Sequence, residues 1–122
     1  MRNNERSHSL DIAPKAVGVG SSVNGGELLL LALATCYRND LHREPAKRGI
    51  RVEGVEVEVH GDLGAEGEPA KNVTYRAKVM AEAREDVNRD LMRDTNEAAE
   101  IQNTVRVETP VLLSQLEAAR VS

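Results

Sequence analysis

Residues 24–36 read NGGELLLLALATC. Asn24 is a good helix N-cap, because its side-chain oxygen accepts the N–H of the third helical residue. Glu27 stands at that third position, which makes a capping box. The helix so opened is expected to run from about Gly25 to Arg48. Its first half, LLLLALA, is apolar on every face and is expected to be buried on every face. Its second half, YRNDLHREPAKR, is amphipathic and charged. Pro45 lacks the N–H that would bond residue 41 and crowds that turn, so a kink or break is expected near Leu41 to Glu44. Gly49 supplies the C′ stop.

Working outward, Met1 to Ser7 is polar and expected to fray. His8 to Ile12 reads as a short edge strand. Pro14 to Gly26, rich in glycine and serine, reads as a loop. Downstream, Val55, Val57 and Val59 alternate with Glu56, Glu58 and His60. Tyr75, Ala77 and Val79 alternate with Arg76, Lys78 and Met80. Period two means one buried and one wet face, so these runs form an antiparallel hairpin with Glu opposite Arg76 and Lys78. Glu85 and Asp86 open a second helix, carried by Val87, Leu91, Thr95 and Ala98 and ending near Glu100. Val105 to Leu116 alternates in part and reads as a last strand, with a C-terminal helix as the alternative. The order predicts a single α+β domain, a long central helix packed on an antiparallel sheet.

Composition narrows the function. The 122 residues contain no Phe, no Trp and two Tyr, so the core must be aliphatic. A small aliphatic core gains from oligomeric burial, and a homodimer is expected. The net charge of −4 is mixed in sign, and Arg38, Arg43, Lys47, Arg48 and Arg51 read as a solvated helix face, so nucleic acid is not an expected partner. Leu28 to Ala34 is too short an apolar run to span a membrane. The polar N-terminus does not read as a signal peptide, and the lone Cys36 fits a reducing, cytoplasmic setting. His8, His42 and His60 lack ligand spacing, so no metal is expected, nor any cofactor. VGVGSSVNGG lacks the Lys-Ser/Thr of a phosphate loop.

The stretch LDIAPKAVGVGSSVNGGELLLLALATC (10–36), the continuation KRGIRVEGVEVEVHGDL (47–63) and the segment AEIQNTV (99–105) together resemble the OsmC/Ohr family of small thiol peroxidases. The order and spacing of these segments carry the resemblance over about residues 8–115. It implies an intertwined homodimer that reduces organic hydroperoxides with two cysteines. The first attacks the peroxide, the second resolves the sulfenic acid, and a dithiol resets the pair. An Arg and a Glu assist the first cysteine.

Cys36 falls on the attacking cysteine. Ala99 falls on the resolving one, so an external thiol would have to serve. The family's glutamate falls on Gly26. Glu27, one residue later, lies across the helix from Cys36, nine residues at about 100° each. The family's arginine falls upstream of Leu10, where Arg2 or Arg6 could substitute. The candidate catalytic set is therefore Cys36, Arg43 and Glu27, with Arg43 near the face of Cys36 two turns on. Asp40, on that face too, would oppose a thiolate. Tyr37, next to Cys36, reads as a packing or interface residue. Three functions stay open: a peroxidase using an external thiol, a dimer that has lost catalysis and binds a small apolar molecule, and a structural role.

Overall fold

A computed structural model describes residues 2–3 and 5–120. The elements in chain order are β1 (Arg2–Asn3), β2 (Arg6–Ser7), α1 (Gly25–Lys47), β3 (Val52–Asp62), β4 (Lys71–Ala81), α2 (Glu85–Ala98) and α3 (Glu100–Arg106). The fold is α+β. β3 and β4 form a two-stranded antiparallel sheet, α1 packs along β3, and α2 and α3 pack on α1.

The start of α1 is as the capping box dictates. Asn24 Oδ1 accepts the Glu27 N–H at 2.8 Å, and Glu27 Oε1 accepts the Asn24 N–H at 3.2 Å. Its end is a Schellman motif. The Ile50 N–H donates to the Pro45 carbonyl at 2.9 Å and the Gly49 N–H to the Ala46 carbonyl at 3.2 Å, with Gly49 at φ 70°.

The break expected near Leu41 to Glu44 is absent, and α1 continues through Pro45. Only Ala46 and Lys47 of the helix lie beyond the proline, so little helix depends on the missing bond. The Pro45 ring is fully buried, and its carbonyl anchors the cap.

The hairpin matches its period-two pattern. Val55 faces Val79, Val57 faces Ala77 and Val59 faces Tyr75. On the wet face Arg76 Nε donates to Glu58 Oε2 at 2.8 Å. The buried face meets Tyr37 and Leu41 of α1, with Met92 of α2 at the margin. Leu91 and Ala99 are fully buried and close the helical side.

Three further expectations need correction. Residues 8–12 form no strand, because among the described residues no other strand pairs with them. Pairing stops at Ser7 before them and resumes after them only as the isolated bridge of Pro14 with Ser21. Val105 belongs to α3, not to a strand. Glu108 then takes φ 53°, Pro110 offers no N–H, and 107–120 run irregularly and exposed. The first half of α1 is buried on one side only. Leu33 is 3% exposed, but Leu31 is 60% exposed, because the hairpin and α2–α3 cover one side of the helix. The segment expected to fray carries a short ladder, Arg2 with Ser7 and Asn3 with Arg6. Met1 and Asn4 of that segment, and the side chain of Arg2, lie outside the described residues.

Candidate functional site

Helical spacing brings Leu28, Leu31, Ala32, Thr35 and Asn39 to one face of α1. With Leu10 and Ile101 they line an open, largely apolar groove of about 380 Å³, and half-buried Cys36 is part of its wall. Ile101 lies two residues beyond Ala99, so the segment AEIQNTV reaches the Cys36 groove. Ala99 itself holds a fully buried methyl.

The polar neighbour of the thiol is a carboxylate. Cys36 Sγ lies 4.0 Å from Asp40 Oδ2. Asp40 Oδ1 pairs with Arg43 Nη2 at 2.8 Å, and Arg43 also reaches Glu44 at 3.5 Å. Asp40 is buried to 5% exposure. Burial pushes its pKa above the usual carboxylate range, Arg43 pulls the other way, and Glu100 and Glu44 add to the rise. Arg43 therefore meets Cys36 only through Asp40. Glu27 is held in the cap, about 13 Å along the helix from Cys36 at 1.5 Å per residue. At Gly26, the position the resemblance matches to the family's glutamate, an added Cβ would require the half-exposed Leu63 side chain to shift. Arg6 is exposed on β2.

A second cluster gave no motif in the sequence. The Tyr37 hydroxyl donates to the Met92 carbonyl at 2.8 Å. Burial, aided by the nearby Tyr75 hydroxyl, raises the Tyr37 pKa to about 12. The Tyr75 hydroxyl donates to Asn96, and burial raises its pKa too, with Arg106 opposing. Gln102 Nε2 donates to the Leu33 carbonyl at 2.8 Å, while its Oε1 is buried without a partner. An unpaired buried acceptor costs about 1–3 kcal/mol.

His8 and His42 are exposed on separate segments, and His60 Nε2 lies 3.1 Å from Glu58. Among the described residues no three His, Cys, Asp or Glu side chains gather to hold a metal. None of the described helices is long and apolar enough to cross a membrane.

Among solved structures, an OsmC-like protein of unknown function from Vibrio cholerae matches with a TM-score of 0.55 and 20% identity, over 67% of this chain and 58% of that one. The likeness is one of fold, and the chain spans just under three fifths of that structure. No protein with a curated description matches the sequence. The family model described as OsmC-like protein matches residues 18–114, most of the chain, so this protein belongs to the OsmC-like family.

Proposed function

We propose that this chain acts as an OsmC-like homodimer whose Cys36 groove holds a small apolar ligand, without the family's two-cysteine turnover. One observation carries the reading. The groove around the sulfur is apolar, and the nearest ionisable partner is the Asp40 carboxylate rather than a cation. A pocket with apolar walls and few polar groups suits ligand binding. Thiol chemistry on a peroxide wants a thiolate beside positive charge. The buried methyl of Ala99 also leaves an oxidised Cys36 without an internal thiol. A lone free thiol suits a reducing, cytoplasmic setting.

A peroxidase is the second reading, favoured by the half-buried, groove-lining place of Cys36. There the thiolate takes the distal oxygen of an organic hydroperoxide, releasing alkoxide and leaving a sulfenic acid. An external thiol condenses with it, expelling water and forming a mixed disulfide. A second external thiol frees Cys36 and leaves as the disulfide of the two.

The rate of Cys36 oxidation, followed by intact mass with cumene hydroperoxide and with hydrogen peroxide, decides between them. Slow rates, equal for both oxidants and close to those of a free thiol, are expected from the binding protein. Fast oxidation with strong preference for the organic peroxide would replace that reading with the second.

A further inference from the structure

The chain's only two aromatic side chains, Tyr37 and Tyr75, meet edge to face with centroids 4.8 Å apart. Beside Tyr75 lies Arg106. Its Nη2 donates to Asn96 Oδ1 at 2.6 Å, and its Nη1 to the Asn96 carbonyl at 3.1 Å and to Asn103 Oδ1 at 2.9 Å. These acceptors are all neutral, and among the described residues no carboxylate pairs with this guanidinium.

Between α1, β4 and α3 a cavity of about 110 Å³ is lined by Leu33, Val73, Tyr75, Gln102, Val105 and Arg106. Gln102 is 3% exposed. Its amide orientation is fixed by the bond from Nε2 to the Leu33 carbonyl, which leaves Oε1 as a buried acceptor without a donor. Such groups in folded proteins call for a partner. The cavity shares Val73 and Tyr75 with a wider groove of about 460 Å³ that continues to Met92 and Asn96.

We infer that this cavity is a second binding site, for a small hydroxylated organic acid whose carboxylate meets Arg106 and whose hydroxyl donates to Gln102 Oε1. Gln102 and Arg106 are four residues apart on α3, so they share a face with Cβ atoms about 5–6 Å apart. A short ligand spans that gap. Leu33, Val73, Val105 and the Tyr75 ring hold its carbon skeleton. The site shares no lining residue with the Cys36 groove and does not depend on that groove's role.

Calorimetric titration of the full chain with 4-hydroxybenzoate, 4-methylbenzoate and phenol tests this. 4-Hydroxybenzoate is expected to bind at least about tenfold more tightly than either of the others, as a site built to pair a hydroxyl discriminates against its absence. Gln102→Leu is expected to erase the preference over 4-methylbenzoate, and Arg106→Gln the preference over phenol, with far-UV circular dichroism unchanged. The wild-type comparison stands even if a variant fails to fold. Equal affinity for the three compounds, the result expected if only water serves Gln102, overturns the inference. So does the absence of binding at millimolar ligand, or a preference that survives both substitutions in folded protein.

Discussion

Asp40 stands between Cys36 and Arg43, and that position decides what the sulfur meets. Sequence spacing placed all three near one helix face with opposing charges. The structure resolves the opposition into an ion pair, with the carboxylate shared between guanidinium and thiol. Asp40→Asn should therefore quicken alkylation of Cys36 by iodoacetamide at pH 7.5. The direction follows because the substitution removes the negative charge 4.0 Å from the sulfur while Arg43 keeps its positive one. An unchanged or slower rate would show that Asp40 does not govern the thiol. Tyr37 makes a separate prediction. It is 3% exposed and its pKa is raised from 10.0 to about 12. The folded state thus holds this proton more tightly than the unfolded chain. The associated stability is fully present below pH 10 and is lost as pH rises towards 12. At roughly 1.4 kcal/mol per pH unit, chemical denaturation between pH 9 and 11.5 should show a fall that Tyr37→Phe makes shallower. Equal slopes in both proteins would contradict it.

The ends of α1 and the pairing of β3 with β4 were legible because their signals are local. Asn24 and Glu27 cap each other across three residues, and valine alternation fixes which face of β3 is buried. Gly49 belongs to the same class. At φ 70° an added Cβ is strained, and a left-handed residue other than glycine costs about 1–2 kcal/mol. Gly49→Ala should lower stability by about 1 kcal/mol in urea denaturation, whereas a neutral or stabilising change would mean the Schellman turn is not held in solution. The region after Ala98 was misread because two periods overlap there. Val105, Val107, Thr109 and Val111 fit a strand, while Ile101 and Val105 fit a helix. Packing decides for the helix up to Arg106, since Gln102 is buried against α1 and bonds the Leu33 carbonyl. The Gln102 cavity was illegible for a related reason. It exists only where α1, β4 and α3 meet, and neither Gln102 nor Arg106 belongs to a motif. Pro45 shows the converse error. The sequence rule was sound for a helix interior, but the proline sits where the helix was about to stop.

At the scale of the whole molecule, the unpartnered apolar surface is what the aliphatic composition leads one to expect. α1 presents Leu28, Leu29 and Leu31 outward at 37%, 38% and 60% exposure, and the tail presents Val111, Leu112, Leu113 and Leu116 at 78–94%. Side chains of this kind each gain about 1.5–3 kcal/mol when fully buried, and exposed apolar patches mark interaction surfaces. A second copy would supply the all-round burial that LLLLALA predicts and one chain does not provide. Light scattering coupled to size-exclusion chromatography should therefore give twice the 13.3 kDa chain mass. Leu31→Glu should shift the protein to a monomer, because a carboxylate buried in an apolar interface costs far more than the leucine it replaces gains. Helicity by circular dichroism should persist in the monomer, since Leu31 is mostly exposed in the single chain. A monomeric wild type, or a Leu31→Glu protein still dimeric at micromolar concentration, would place the subunit contact elsewhere and leave the face of α1 beside Cys36 free to serve the ligand groove alone.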